Sequence, residues 1–563
     1  MERTKFDLNK FKDPAALIIC VGAFCVGLFN EFVCAAFGVV IGAMLIFKAA
    51  KQKKLSIGLN LALLSVCAVS FGFLVTALWG VDKYYSLLGF TKFLPLVLFY
   101  VYVTQKDENE ALKSLDLVPL AGAVMTVLSG VLSLAVKNKE LFLVKDRLSG
   151  FFQYPSTFAL FLIIGIIVLS NQKLSVPNGI IGAVLIAGVF LSGSRTSFVV
   201  LALVVLALVF TAQNKAFRRF ALIAFVLVLV GAVVYSLVDS DSPVARFLKI
   251  SLSSVTLRGR LLYFKDALRQ IVKRPFGLGY MGYYFSQGSF QTGVYANRYV
   301  HNELLQLLLD IGWVPALLCV AWVCTAMFNK NKPLYAKLII ASAVLHSMMD
   351  FDLQYLAIDF ILLVCLASDK NKREVGVKKS ALAAAVTVFA AVTVFSVYLG
   401  ASSFMFLINK SDSAVKICKY NTMAQIDALA ATDDLDEKLE IANTIIKNDK
   451  YITNAYSAKA QYYYDDGDIQ KTIEQKLLAL KYNRYSHDEY EDLCGVLLAI
   501  IPEYIEMGDY DSAQYCIDKL AALQKSQKKL KNSTDKIAYD LPEKPDFTLP
   551  DEYKEAIEYY TSL

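Results

Sequence analysis

Long apolar runs alternate with short polar loops over the first 400 or so residues of the chain. Thirteen runs can be read, at roughly 15–29, 32–48, 57–79, 86–104, 115–136, 156–170, 176–193, 196–212, 217–238, 302–328, 334–350, 355–368 and 380–405. A helix needs about 20 apolar residues to cross a hydrocarbon core, so the pattern predicts an all-α, polytopic membrane domain of about 12–13 transmembrane helices over residues 1–406. The basic loops "KAAKQKK" (48–54), "NKAFRR" (214–219), "NKNKPLYAK" (329–337) and "SDKNKREVGVKK" (368–379) all fall on one side. Cytoplasmic loops carry the excess of Lys and Arg, which predicts a cytoplasmic N-terminus. Segments 80–85, 137–155, 192–195, 239–300 and 346–354, and everything after the thirteenth run, are then expected outside.

Composition agrees with that reading. Of the 563 residues 56% are hydrophobic and 12% aromatic, which excludes an ordinary soluble enzyme. The opening "MERTKFDLNKFKDP" leads into an apolar run without a small-residue cleavage site, so the first span is expected to be retained. Seven cysteines lie in apolar runs, where a thiol acts as a small hydrophobe. Cys418, Cys494 and Cys516 are widely spaced and suggest neither a disulfide framework nor a metal site.

Charge changes the picture in the long outer segment 239–300. It holds nine Lys/Arg (Arg246, Lys249, Arg258, Arg260, Lys265, Arg269, Lys273, Arg274, Arg298) against Asp239, Asp241 and Asp266. Either a basic helix lies on anionic headgroups or an anionic substrate is presented at the outer leaflet. On a helix, "RGRLLYFKDALRQIVKR" (258–274) puts Arg258, Lys265, Arg269 and Lys273 on one face and Phe264, Ala267, Leu268 and Ile271 on the other. Arg260 falls in the middle of the apolar face. Its planar fork suits a phosphate, which takes two parallel charge-assisted hydrogen bonds.

Arg195 interrupts an apolar stretch at "LSGSRTS" and opens the next helix from the outer side. With Ser194 or Thr196 as cap, that helix N-terminus favours an anion beside the arginine. The chain has three histidines. His301, at the mouth of the apolar helix in "NRYVHNELLQLLLDIG", follows the basic segment and has Arg298 and Asn302 as neighbours. A neutral imidazole there can take a proton from an acceptor hydroxyl. Arg147 joins this outer-face group as a candidate substrate-binding residue, with Arg298 and Asn302. Asp350 and Asp352 can hold a cation, orient His346 or an arginine, or simply sit at the interface; with no further acidic ligands nearby, no metal is expected. His346 is expected to carry no chemistry.

These pieces, in order "RLSGFFQYPSTFA", "LSGSRTS", "RGRLLYFKDAL", "RPFGLGY" and "HNELLQLLLDIG", resemble the O-antigen ligase and O-antigen polymerase superfamily over roughly residues 140–365. Phe264 stands where the family usually has Trp, and Ser156 where Asn is common. The resemblance implies a metal-independent, inverting glycosyltransferase of the membrane-embedded GT-C type, needing no cofactor. Its donor would be a polyprenyl-pyrophosphate-linked glycan. Arg195 and Arg260 would bind the pyrophosphate, with Arg258 an alternative for the loop position, and His301 would be catalytic. Residues 275–290, rich in Gly and aromatics, are expected to shape or gate a sugar cleft.

Residues 407–563 read as paired helices with two "GD" turns, 41 residues apart at Gly467 and Gly508, resembling degenerate tetratricopeptide units. Such hairpins usually bind a protein partner, and this domain is expected to be dispensable for chemistry. Repeat-unit polymerase is the first reading, with transfer at the outer face of the bacterial cytoplasmic membrane. A ligase delivering the finished glycan to a lipid, wall or protein acceptor is the second, and a flippase of lipid-linked glycan is the alternative from another class. Membrane lipids are expected partners; nucleic acid is not.

Overall fold

The computed structural model describes residues 11–173, 175–211, 215–238, 254–367 and 372–562. The N-terminal "MERTKFDLNK", the loop charges Asp239, Asp241, Arg246 and Lys249, and residues 368–371 lie outside the described residues. The chain is helical almost throughout and divides into two compact units. One comprises Met1–Val75, Leu87–Ser251 and Val300–Ala401; the other comprises Thr76–Ser86, Leu252–Tyr299 and Ser402–Leu563.

Each predicted apolar run folds as helix. Glu31–Gln52, Lys83–Val103, Glu108–Ala135 and Lys379–Leu407 are long and apolar enough to cross a membrane, and the other apolar helices are shorter. Caps set several of the starts. Asp13 accepts the Ala15 N–H (3.1 Å) ahead of Pro14–Phe24, and Ser175 accepts the Asn178 N–H (3.4 Å) ahead of Val176–Leu191. The run 302–328 is not one helix. It breaks at Gly312, whose φ of +84° ends Glu303–Ile311 and starts Trp313–Phe328.

The first unit is organised around Pro155–Ser170, apolar on all sides and buried from Pro155 to Leu169. Helices Val118–Ala135, Val176–Leu191, Arg195–Thr211 and Leu334–Ser347 pack on it. Lys379–Leu407 is the opposite case: only 11% of its apolar window is buried, a surface that hydrocarbon solvates and water does not. Strands Lys54–Gly58 and Lys372–Gly376 pair antiparallel, Lys54 opposite Gly376, with Lys54 in an ion pair to Glu374 (2.9 Å). This ribbon joins the chain after the basic stretch 48–54 to the strand that precedes Lys379–Leu407.

In the second unit the C-terminal helices have their own core, centred on Ile473, Leu493, Leu497, Ile501, Cys516 and Leu520. Both "GD" pairs make the same turn. Gly467 and Gly508 adopt φ of +77° and +75°, and Asp468 and Asp509 cap the next helix by accepting the Lys471 (3.0 Å) and Ser512 (3.1 Å) N–H groups. The short segment 76–86 belongs here through Asp82. Its buried carboxylate accepts from the Thr422 hydroxyl and from the Asn448 amide (2.9 Å).

Candidate active site

In the first unit, the turn at Arg195 and the mouth of the His301 helix are both tied to the segment 346–354. Helix Val176–Leu191 ends at Ser192; Gly193 turns the chain at φ +58°; Ser194 then caps Arg195–Thr211 by accepting the Ser197 N–H (3.3 Å). Of the two candidate caps, Ser194 holds this position. Arg195 thus sits in the first helical turn, half-buried, and among the described residues its buried Nε has no hydrogen-bond partner. Unsatisfied helix N–H groups and a guanidinium nitrogen without a partner together make an anion-seeking corner.

Arg147 supports that corner from behind. Strands Leu143–Val144 and Arg147–Leu148 form a two-residue hairpin whose central residues, Lys145 and Asp146, both have positive φ. The hairpin delivers Arg147, whose Nε donates to the Ser192 carbonyl (2.8 Å). The same stretch continues through Gly150, at φ +58° and so close to Phe158 that a Cβ would lie 2.6 Å from its ring. It ends at Tyr154, Ser156 and Thr157, which face the other site elements.

His301 adopts φ +60°, a left-handed conformation seldom seen outside glycine and asparagine, immediately before the helix Glu303–Ile311. Asn302 is occupied as the cap of that helix. Its Oδ1 accepts the Leu305 N–H (3.0 Å) and its Nδ2 donates to the Met348 carbonyl (3.0 Å). The His301 Nδ1 lies 3.3 Å from Asp350 Oδ1, which also accepts from the Tyr154 hydroxyl (2.6 Å) and the Phe351 N–H (3.1 Å). Phe351 packs edge-on against the imidazole (5.1 Å between centroids) and, tilted by 34°, against Tyr154 (4.5 Å). An Nδ1–H given to the carboxylate leaves the Nε2 lone pair available as a base.

Two residues further on, Asp352 makes a second histidine pair. Its Oδ2 meets His346 Nδ1 at 2.6 Å, and His346 Nε2 meets the Ser197 hydroxyl at 2.7 Å. Thr157 donates to Asp352 Oδ1 (2.7 Å), and Ser197, Ser194 and Ser156 continue the chain of hydroxyls (2.7 and 3.2 Å). The order Asp–His–Ser is that of a nucleophilic relay, but Asp352, His346 and Ser197 are all 0% exposed. The cluster is a brace holding the first turn of the Arg195 helix. His346, expected to carry no chemistry, stands at the centre of this buried network. His346→Ala is expected to strand a buried carboxylate and hydroxyl and lower stability by about 2–4 kcal/mol, visible as a fall in Tm in detergent. An unchanged Tm would show that the network is not needed.

Beneath the His301 helix lies a cavity of about 400 Å³ lined almost wholly by apolar groups, including Leu304, Leu307, Val323 and Val344, with Glu303, Asp310 and Asp359 at its wall. Glu303 is not idle; it accepts the Leu353 N–H (2.9 Å).

The remaining candidates lie in the second unit. Helix Val255–Lys273 carries Arg258, which is paired with Asp540, and Arg260, which is half-buried. Asp266, lost in the basic count, is wholly buried on the same helix. It accepts from the Thr292 N–H and hydroxyl (both 2.8 Å) and the Tyr295 hydroxyl (3.0 Å), with Arg269 at 3.1 Å. Burial pushes its carboxyl above the ordinary aspartate value, against the pull of those donors. Arg298 is exposed, its Nε directed at the Met281 sulfur (3.2 Å). Tyr280 and Tyr283 of the aromatic stretch are 0% exposed, so these two rings pack and do not offer a stacking surface to sugar.

Residues 180–320 match the family model of O-antigen ligase. The match supports the O-antigen ligase and polymerase superfamily, and with it an enzyme of glycosyltransferase type whose substrates are a lipid-linked glycan and an acceptor. It spans Arg195, Arg258, Arg260, Arg298, His301 and Asn302, whereas Arg147, His346, Asp350 and Asp352 lie outside it. Comparison with curated proteins and with solved structures found no match.

Proposed function

We propose that this protein transfers a glycan from a polyprenyl-pyrophosphate carrier to an acceptor at the outer face of the cytoplasmic membrane, as a repeat-unit polymerase. The observation that carries the reading is the pairing of His301 with Asp350 in the same unit as Arg195, whose Nε has no hydrogen-bond partner among the described residues; His301 and Arg195 both lie inside the segment matched to O-antigen ligase. His301 Nε2 takes the proton of the acceptor hydroxyl as that oxygen attacks the anomeric carbon. The bond to the pyrophosphate oxygen breaks, with inversion. Pyrophosphate is a good leaving group, so the protein's main task is to stabilise its growing charge with arginines in a poorly hydrated site, without a metal. The apolar cavity beside Leu304 and Leu307 suits an isoprenoid chain.

Arg260 is assigned the loop phosphate contact on its place in the apolar face of the helix and on the resemblance of "RGRLLYFKDAL" to the family's loop element. Arg260→Ala is expected to cost on the order of a hundred-fold in kcat/KM, whereas Arg269→Ala, whose side chain is 48% exposed, costs less than about three-fold. Equal losses would mean that only the bulk positive field matters. A ligase reading is favoured by the description of the matched family. Product length decides between the two: a ladder of repeat units from purified donor indicates a polymerase, a single transfer a ligase.

The C-terminal helices are assigned to the outer side. Cys494 and Cys516 are buried and cannot report this, so a cysteine introduced at the exposed Lys554 is the probe. Labelling of Lys554→Cys by a membrane-impermeant maleimide in intact cells is expected; labelling only after lysis would reverse the topology.

A further inference from the structure

The second unit joins the helix that carries Arg260 to the C-terminal domain by contacts at several points. On the helix Val255–Lys273, Arg258 pairs with Asp540 and Lys265 with Asp535. Asp535 also donates its backbone N–H to the Thr292 carbonyl (2.9 Å), and its side chain caps the short helix Lys536–Asp540 at Ile537 (3.0 Å). Gly293 lies against Ala538 so closely that a Cβ would come within 2.5 Å of the alanine methyl. On the far side of the same loop, Arg484 donates through Nε to the Gln291 carbonyl (2.9 Å) and through a terminal nitrogen to the Phe290 carbonyl (3.2 Å). The Arg484 N–H reaches the Gly288 carbonyl (3.2 Å). Buried Asp266 closes the arrangement by fastening the helix to Thr292 and Tyr295.

Loop 287–297 is thus held by the helix through Asp266 and by the C-terminal domain through Arg484 and Asp535, while Asp535 and Asp540 also grip the helix directly. The basic residues of this outer helix are accordingly of two kinds. Arg258 and Lys265 spend their charge on the C-terminal domain, and Arg260 is carried on the apolar face of the same helix.

We propose that the C-terminal helical domain is a positioning element of the donor site: Asp535 and Asp540, with Arg484, set the helix that presents Arg260 to the pyrophosphate. This rests on the phosphate role assigned to Arg260 and reverses the expectation that the domain is dispensable. The ion pair of Arg258 with Asp540 is half-exposed, and such pairs contribute little to stability. Asn at 535 keeps a side-chain oxygen for the Ile537 cap. Loss of the two carboxylates should therefore leave the protein folded while loosening the helix, and a misplacement of about 1 Å at a catalytic group can cost as much as a hundred-fold in rate.

The test uses full-length Asp535→Asn/Asp540→Asn protein, with exposed Lys554→Ala as control. Hydrogen exchange over 255–273 is expected to quicken with Tm nearly unchanged, and donor KM or kcat to worsen on the order of ten-fold with acceptor KM unmoved. In an Arg260→Ala background the same double change should add almost nothing, because it acts through that arginine. The exchanged pair Arg258→Asp/Asp540→Arg should recover most of what Asp540→Asn loses. Unchanged exchange over 255–273 would overturn the clamp whether or not the protein is a transferase. Faster exchange with undiminished donor kinetics would overturn the positioning role. A wild-type protein inactive on every polyprenyl donor would instead remove the functional reading, and the exchange result would still decide the clamp.

Discussion

His301→Gln is expected to lower transfer by about a hundred- to ten-thousand-fold, the usual worth of a general base, while donor still binds. Glutamine can donate and accept a hydrogen bond at the helix mouth, so it replaces the imidazole in any packing role. It cannot take a proton near neutral pH. An interaction realised mainly in the transition state lowers the rate constant more than ground-state affinity, so titration with labelled donor should give a Kd close to wild type. Asp350→Asn should lie between wild type and His301→Gln. An amide in place of the carboxylate loses the charge that stabilises the imidazolium and no longer favours the tautomer with a free Nε2. Near wild-type turnover by His301→Gln would reduce the histidine to a helix-end residue. His487→Ala, in the C-terminal domain, is the suitable control, since His346 is built into the brace around Ser197.

Arg195→Ala is expected to be comparably severe, about a hundred- to a thousand-fold in kcat, because charge grows on the leaving pyrophosphate in a site from which water is largely excluded. Arg195→Lys should recover only part of this. A lysine restores the charge but not the fork, and its ammonium is a compact point donor. The brace of Ser197, His346 and Asp352 stays intact in both variants, so their Tm should match wild type. A fall in Tm equal to that of His346→Ala would mean that Arg195 stabilises the turn and has no ligand role. Full recovery by lysine would mean that geometry at this position is unimportant.

The helical spans and their loops could be read from hydropathy because apolar runs of that length leave a chain few alternatives. The break at Gly312 was in the sequence as a glycine inside an apolar run, but a single glycine is compatible with a continuous helix, and the left-handed φ appears only in the fold. Arg195, Arg260 and His301 were visible because each violates the polarity of its surroundings. Their partners were not. Asp350 and His301 are 49 residues apart in the chain, and no local pattern couples them. Ser197 lies 149 residues from His346, and although Asp352 is only six residues from that histidine, no local pattern brings the serine to them. Asp266 was hidden by averaging: counted among nine basic residues it was one of three acids, yet it is the buried fastening of the outer loop. The partition of the chain was hidden for a related reason. Hydropathy separates the soluble helices after residue 406 from the spans, but it cannot show that 252–299 belongs in one compact unit with them.

The most direct test of the central claim is a release assay with purified full-length protein in detergent, supplied with polyprenyl-pyrophosphate oligosaccharide and acceptor in the presence of a divalent-metal chelator. Formation of free polyprenyl pyrophosphate together with a new glycosidic bond of inverted configuration, both lost in His301→Gln, is the predicted result. Intact lipid-linked donor after prolonged incubation, from protein that binds it and moves it between leaflets once reconstituted in vesicles, would contradict the account and identify a flippase.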